Sequence, residues 1–298
     1  MRNIDIYSYF YSLLMQIPDG MVTTYGDLAR ALGDIKAARA CGYMLSMNSD
    51  PDNIPCYKVV MSDGSLGGYS LGLDEKIRRL KNDKIEVNNG KIDLKKYRFN
   101  SFDTTYPLAI LRDEQEKIAR MASYDDDYDE KNICAIDVSY KNDTGYGVMV
   151  SFDGNDYYIK TVVKKTNFPY IPGYLAYREF PYIKDLASDF NGTMIIDANG
   201  ILHPRYCGLA TYAGVLLNMA SVGVAKSLLL GDIHDNYVYY NNKALGYIIN
   251  KKTIVSPGNK ISLRSSIDLI KHLGNGRYPK ILKMAHDKTV ELRKLYNE

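Results

Sequence analysis

The chain has 298 residues, a length that suggests two modest domains or one large one. Its 38 basic and 35 acidic side chains leave a net charge of +3, which excludes a polybasic protein that holds nucleic acid by charge alone. Hydrophobic residues make up 46% of the chain, enough for a packed core. No apolar run reaches the roughly 20 residues that span a bilayer, and no secretory signal is visible, so we expect a cytoplasmic protein without membrane association.

The counts of cysteine and tyrosine narrow the possible classes of protein further. The four cysteines form no C-x-x-C pair, which argues against a zinc cage and against a disulfide framework. The chain has 27 Tyr, 7 Phe and no Trp. Tyrosine can stack on a base and also offer a hydroxyl, so nucleic acid remains a possible partner. Compositional bias is the simpler explanation of the high tyrosine count.

The first 90 residues read mostly as helices. The predicted elements are helices at 4–16, 25–32, 36–48 and 73–81 and a strand at 56–61. Thr24 can cap the second helix and Gly33 can end it. Two short helices joined by a tight turn predict a helix-turn-helix, a motif that docks on DNA.

Residues 81–105 are polar and turn-rich, which predicts a linker at 91–105 between a domain at 1–90 and a domain at 106–298. The second domain is predicted to contain helices at 107–122, 174–189, 262–273 and 280–295 and strands at 132–139, 146–152, 156–164, 193–197, 220–225, 236–240, 245–249 and 253–256. Three strands in a meander, followed by alternating helices and strands, predict a mixed sheet with helices on its faces.

Cys56 lies at the start of the strand predicted in the first domain. The proline before it favours an extended approach, and on a strand Lys58 would point to the same side as Cys56 and favour its thiolate. A thiolate there is a candidate nucleophile. From these residues alone, a buried structural cysteine is the simpler interpretation.

Five segments in register resemble O6-alkylguanine-DNA alkyltransferases of the C-terminal, DNA-binding domain type. They are residues 17–29, 37–42, 48, 54–60 and 67–70. The resemblance implies a winged-helix-like helix-turn-helix α+β domain in which Cys56 accepts the alkyl group. Arg39 would take the place of the flipped base and Tyr25 would rotate the phosphate. The DNA-contacting residues implied are Tyr25, Arg39, Asn48, Tyr69 and Ser70, the last two lining the flipped guanine.

One departure from this family concerns the proton of the thiol. The family's histidine after the cysteine and the glutamate that holds it correspond here to Tyr57 and Asp83. Tyrosine, with an unperturbed pKa of about 10, is a poor base near neutral pH. Three alternatives stay open: Cys56 is activated by Lys58 or a helix N-terminus, transfer is slow, or the domain only reads damage.

Acidic residues in the second domain have the types and positions of a metal site. Asp137 and Asp197 end apolar strands, and Glu179 and His286 lie on predicted helices. Carboxylates with one imidazole suit Mg²⁺ or Mn²⁺ more than zinc. Two such ions can clamp both oxygens of a phosphodiester displacement.

Residues from about 106 to 295 resemble endonuclease V, an α/β ribonuclease H-like fold that nicks nucleic acid near deaminated bases. The matching segments are 135–140, 169–175, 177–179, 196–200, 203–205, 208–210, 223–227, 255–258 and 284–286. The resemblance implies metal ligation by Asp137, Glu179, Asp197 and His286, with Lys226 and His203 facing the scissile phosphate. It also implies a wedge, formed by Tyr170, Ile171, Pro172 and Gly173, that props the strands open.

The two resemblances together imply a fused DNA-repair protein that acts on damaged double-stranded DNA without an obligate protein partner. Its nuclease would use Mg²⁺, or Mn²⁺ in its place, to incise 3′ of hypoxanthine, with uracil and xanthine as further candidates. The main alternative is a nuclease joined to a non-catalytic damage reader. A third is an inosine-specific ribonuclease with a DNA-binding arm, since some relatives prefer RNA.

Overall fold

The computed structural model describes residues 4–251 and 253–296, which divide into two compact units. The first unit contains the chain up to Leu111 together with residues 167–172, and the second contains residues 112–166 and the chain from Gly173 onward. Each unit has its own cluster of buried apolar side chains. Among the described residues, no helix is long and apolar enough to cross a bilayer.

The first unit contains the helix-turn-helix that the sequence predicts. Its elements are α1 (Ile6–Leu14), α2 (Tyr25–Leu32), α3 (Ala38–Ser46), α4 (Leu73–Asn82), α5 (Leu94–Tyr97), β1 (Thr23–Thr24) and β2 (Val59–Val60). The Thr24 side chain accepts a hydrogen bond from the backbone N–H of Asp27 and so caps α2. Gly33 ends α2 at φ +103°, a left-handed conformation that glycine adopts readily.

The chain around Cys56 differs from the predicted strand. Cys56–Lys58 form a 3₁₀ turn, and only Val59 and Val60 pair with Thr23 and Thr24, in parallel. The turn begins with a tight bend in which the N–H of Cys56 donates to the carbonyl of Ile54 at 2.8 Å. Because side chains in a 3₁₀ turn do not alternate between two faces, the prediction that Lys58 lies on the side of Cys56 is wrong.

The segment 91–105, predicted as a linker, is instead folded into the first unit. It contains α5, and Tyr97 at the end of that helix is 7% exposed in the apolar cluster around Val22. The backbone of Val22 bonds to that of Tyr97 and Phe99, each at 2.7 Å. The polar composition is misleading because two buried side chains, Ile92 and Tyr97, are enough to attach a mostly exposed segment to the first unit.

The second unit is built on one mixed sheet, which confirms the predicted architecture. Helix α6 (Pro107–Ala119) precedes it. Its strands are β3 (Ile133–Lys141), β4 (Thr144–Phe152), β5 (Tyr157–Lys165), β6 (Thr193–Ile196), β7 (Ser221–Ala225), β8 (Asp232–His234), β9 (Tyr237–Tyr240), β10 (Lys243–Asn250) and β11 (Thr253–Asn259). In the described residues the strand order is β5-β4-β3-β6-β7-β11-β10-β9-β8, and the neighbours β3, β6 and β7 run parallel.

Four further helices cover this sheet: α7 (Leu175–Leu186), α8 (Leu209–Leu217), α9 (Leu263–Gly274) and α10 (Lys280–Leu295). Ile133 and Ala135 of β3 belong to the apolar cluster that includes residues of α9 and α10. Since side chains alternate along a strand, Asp137 is the next residue on that same face.

Helix α8 is absent from the sequence-based prediction. Its sequence, LATYAGVLL, is apolar on almost every side, and its first six residues are buried. A helix buried all round lacks the amphipathic period by which helices are recognised. Short strand β8, with three exposed residues, was missed because it has no apolar alternation.

We expect Arg98→Ala to destabilise the first unit. Arg98 Nε and Nη2 donate to the buried Asp27 carboxylate at 2.9 and 2.6 Å. Burial alone would raise the pKa of Asp27, but hydrogen bonds from Arg98 and Thr24 outweigh it and hold that pKa below its usual value. Loss of these charged hydrogen bonds should lower the local unfolding free energy by about 1.5–3 kcal/mol at pH 7.

The measurement is hydrogen exchange of the α2 backbone amides in the full chain, which reports local opening free energies. Because the pKa of Asp27 is depressed in the folded state, the stabilisation is present above the unfolded-state pKa of about 3.9 and disappears as the pH falls through the folded-state value. Arg264→Ala, which removes an exposed ion pair on α9, is the matched control. Equal α2 exchange in wild type and Arg98→Ala at pH 7 would contradict this expectation.

Candidate functional site

Three charged side chains meet where parallel strands of the second unit end. Asp137 lies in β3, Asp197 directly follows β6, and Lys226 directly follows β7. Ile136 pairs with Ile196 in register, and the N–H of Asp197 donates to the carbonyl of Ile136 at 3.1 Å. The parallel register therefore brings Asp137 and Asp197 side by side at one edge of the sheet.

Helix α10 completes this cluster. His286 Nδ1 lies 2.9 Å from Asp137 Oδ2, and the Thr289 hydroxyl donates to the same oxygen at 3.2 Å. One potential ligand atom from each of Asp137, Asp197 and His286 lies within 4.8 Å of the others. When Nδ1 of His286 donates to the carboxylate, its Nε2 lone pair is left for a metal.

Glu179, the fourth predicted ligand, lies on α7 and is buried next to this cluster. Burial raises the pKa of Glu179 well above its usual value, and the charges of Asp137 and Asp197 raise it further. Burial and Asp137 also raise the pKa of Asp197. Because buried carboxylates repel one another in this way, the residues present fit a divalent cation, whose charge would relieve the repulsion.

Lys226 is the cation of this cluster. Its Nζ donates to Asp197 Oδ2 at 2.5 Å, and its side chain keeps 45% of its surface exposed. The ammonium also lies 5.5 Å from the centroid of the Tyr278 ring. A half-exposed ammonium beside carboxylates can donate to an anionic group, and the role of Lys226 at the scissile phosphate stays a prediction.

His203 lies in the loop between β6 and α8 and is 4% exposed. Its Nδ1 accepts the backbone N–H of Arg205 at 3.3 Å. In the neutral ring the proton then resides on Nε2, which makes that atom a donor. Within the described residues, His203 is not part of the close group formed by Asp137, Asp197 and His286.

The predicted wedge combines exposed and buried residues. Tyr170 is 61% exposed, whereas Ile171 is 1% exposed. Pro172 is exposed, and Gly173 has φ +85°. An exposed tyrosine on a proline-stiffened segment is suited to stacking against a base.

In the first unit, Cys56 opens into a cavity of about 410 Å³. The cavity is lined by Tyr25, Gly42, Leu45, Ser46, Cys56, Gly68, Tyr69 and Ser70. Asn48 Nδ2 donates to the Cys56 sulfur at 3.2 Å. The Tyr69 hydroxyl is buried without a hydrogen-bond partner in the described part of the chain. The structure thus brings together the cysteine and the side chains predicted to line the flipped guanine.

Arg39 and Tyr25, two further residues predicted to contact DNA, belong to the helix-turn-helix. Arg39 is exposed in the first turn of α3, and Tyr25 begins α2. A Cβ atom at Gly42 would lie 3.6 Å from the Tyr25 ring. Small residues on α3 therefore leave its surface narrow beside the exposed arginine, a shape suited to a groove of DNA.

The predicted relay residues form a separate network. The Tyr57 hydroxyl donates to Asp83 Oδ2 at 3.0 Å, and Lys58 Nζ lies 3.4 Å from the same carboxylate and 3.0 Å from Asp19. Burial raises the pKa of Tyr57 well above its usual value, and Asp83 raises it further. Tyr57 is therefore a donor to Asp83 rather than a base, and the ammonium of Lys58 is held by carboxylates.

Lys76 is a site residue that sequence reasoning missed. It is fully buried on α4, and its Nζ donates to the carbonyls of Val59 and Leu66 at 2.7 and 2.5 Å. Burial lowers the pKa of Lys76 to about 8, while the proximity of Cys56 opposes this shift. The available signal was a lysine four residues before the buried Leu80, within the apolar stripe of an otherwise polar helix.

Known proteins resemble both units. The sequence model of the family described as Endonuclease V matches residues 115–287, and that described as 6-O-methylguanine DNA methyltransferase, DNA binding domain, matches residues 5–85. A "Bifunctional methyltransferase/endonuclease" of Picrophilus torridus is 72% identical over 99% of this chain and 99% of its own length. One of the same name from Thermoplasma volcanium is 48% identical over 97% of this chain and 90% of its own.

Among solved structures, endonuclease V of Ciona intestinalis is similar to the second unit. It was solved in complex with a 24mer DNA containing an inosine followed by a ribo-adenosine. Its TM-score is 0.54 at 26% identity, over 63% of this chain and 98% of that chain. The chain therefore belongs to the endonuclease V family and, over its whole length, to the bifunctional methyltransferase/endonucleases.

Proposed function

We propose that the second unit is a Mg²⁺-dependent endonuclease that incises DNA 3′ of deaminated bases, with hypoxanthine as its main lesion. The observation that carries this proposal is the cluster of Asp137, Asp197 and His286 at the ends of parallel strands, with Glu179 buried beside it. Oxygen and imidazole donors suit Mg²⁺, and Mn²⁺ would substitute for it. The inosine-containing DNA bound by the Ciona enzyme supports the choice of substrate.

When bound, the metal lowers the pKa of a water molecule and neutralises charge on the phosphate. The chain's own residues prepare the site for this chemistry. Thr289 and His286 orient the carboxylate of Asp137. Lys226 and the Nε2 proton of His203 are the donors for the scissile phosphate, and the wedge at Tyr170–Gly173 separates the strands next to the lesion.

Asp137→Ala should abolish Mg²⁺-dependent nicking of an inosine-containing duplex, because it removes the carboxylate that His286 and Thr289 orient. The measurement is the yield of nicked product on a denaturing gel. Asp268→Ala, which removes an exposed carboxylate on α9, is the matched control and should nick like wild type. Nicking by Asp137→Ala at the wild-type rate would exclude the proposed metal site.

We further propose that the first unit removes the alkyl group from O6-alkylguanine in DNA. The sulfur of Cys56 forms the new S–C bond to the alkyl carbon while the C–O6 bond breaks, and the guanine leaves with the bonding electrons and takes up a proton. The Asn48 amide donates to this sulfur at 3.2 Å, and the buried Lys76 is close enough to Cys56 to interact with it electrostatically. The unpartnered Tyr69 hydroxyl is available to the flipped base.

A non-catalytic damage reader is the second candidate for the first unit. The observation that favours it is Tyr57, whose hydroxyl donates to Asp83 and whose pKa is raised, so that Tyr57 cannot take the thiol proton as the family's histidine does. A reader would bind O6-alkylguanine in the same cavity and leave the alkyl group on the base.

Incubation with DNA that carries labelled O6-methylguanine separates these two candidates. We expect the label on the Cys56 peptide in mass spectrometry and none on Cys56→Ala. Tyr57→Phe should transfer within about threefold of the wild-type rate because Tyr57 is not the base, whereas Lys76→Met should be at least about tenfold slower through loss of the buried cation. Tight binding of the lesion without labelled Cys56 would establish the reader instead.

A further inference from the structure

Arg205, in the loop between β6 and α8, has a guanidinium held on three sides. Its Nε donates to Gln115 Oε1 at 2.9 Å, and its Nη2 donates to the carbonyl of Gly173. The guanidinium carbon lies 4.5 Å from the centroid of the Tyr174 ring. The sequence analysis places this arginine in a matching segment but gives it no role.

The side chains that contact Arg205 are themselves buried. Gln115 is 1% exposed, and its Nε2 donates to the carbonyl of Cys207 at 3.0 Å. Tyr174 is fully buried. A planar guanidinium between a buried amide and a buried ring has one orientation, and its forked donors cannot be reproduced by the single ammonium of a lysine.

Arg205 also contacts the loop that carries His203. Its backbone N–H donates to His203 Nδ1 at 3.3 Å, the bond that makes Nδ1 an acceptor and places the proton of the neutral ring on Nε2. One residue thus bonds to His203 through its backbone and to Gly173, the last residue of the wedge, through its side chain. Displacement of Arg205 would disturb both contacts.

The backbone of Gly173 at the end of the wedge favours its hydrogen bond with the Arg205 guanidinium. Gly173 has φ +85°, where other residues are strained, and a Cβ atom there would lie 3.1 Å from Arg205 Nη2. The positive φ and the close approach of the guanidinium both favour glycine at the end of the wedge.

We propose that Arg205 is the positioning residue that anchors the wedge while a lesion base is pushed out of the duplex. This inference rests on the proposed endonuclease function. A base leaves the stack only against the energy of stacking and pairing, so the wedge must be held at one end to deliver that work. Arg205 supplies the anchor through Gly173, and Tyr170 is the part that enters the duplex.

The test compares inosine in a duplex with inosine in a single strand, where the base is already unstacked. Arg205→Lys should lower kcat/KM on the duplex at least about tenfold more than on the single strand, because only the duplex needs an anchored wedge. Arg264→Lys, on the exposed surface of α9, is the matched control and should nick both substrates like wild type. Equal losses on the two substrates would overturn the proposal.

A second readout does not depend on nicking. With 2-aminopurine next to inosine and no added metal, saturating wild-type protein should raise the fluorescence as the stack opens, and Arg205→Lys should raise it less. Gln115→Met, which removes one guanidinium partner and keeps Arg205, should shift both readouts in the same direction. Unchanged fluorescence in both variants, with folding checked by circular dichroism, would overturn the anchor.

The outcomes also separate this inference from the function on which it rests. If wild type nicks neither inosine substrate, the endonuclease proposal fails, and the anchor fails with it. If wild type nicks both and Arg205→Lys shows no preference for the single strand, the endonuclease stands and the anchor alone is refuted.

Discussion

The repulsion among buried carboxylates at one edge of the sheet governs the organisation of the second unit. Parallel pairing of β3 with β6 forces Asp137 and Asp197 together, and α7 adds Glu179, whose pKa is raised by burial and by both neighbours. Such a group opposes folding unless a positive charge compensates it. Lys226 gives partial compensation, which leaves the cluster fit to attract a divalent cation.

The site of the first unit differs from that of the second because its buried charged group near the candidate nucleophile is a cation. The sulfur of Cys56 accepts a hydrogen bond from the Asn48 amide, and the buried ammonium of Lys76 interacts electrostatically with this cysteine. Burial of the ammonium is tolerated because backbone carbonyls, including those of Val59 and Leu66, accept hydrogen bonds from it. The second unit therefore concentrates negative charge at its site, and the first places an amide donor and a buried lysine near a cysteine.

Sequence patterns predicted the parts of these sites that depend on local order. Asp197 follows a short apolar strand, and that position together with the resemblance to endonuclease V predicts a metal ligand at the end of a strand. Lys58 was placed wrongly because a single bend at Ile54 and Cys56 converts the expected strand into a turn. Lys76 was missed because a charged residue becomes a buried donor only when distant carbonyls surround it, and a lone sequence does not show which carbonyls those are.

The exchange of the usual histidine for Tyr57 removes a base but leaves the Asn48 amide bonded to the sulfur of Cys56. Tyr57 donates to Asp83, and Lys58 bonds to Asp83 and Asp19, so these polar atoms satisfy one another. The network connects the turn after the cysteine to Asp19 and Asp83, and its hydrogen bonds do not involve the Cys56 thiol. Asn48 still donates to the sulfur, so under the proposed transfer the departure from the family pattern changes the path of the thiol proton and keeps the contact of the nucleophile with Asn48.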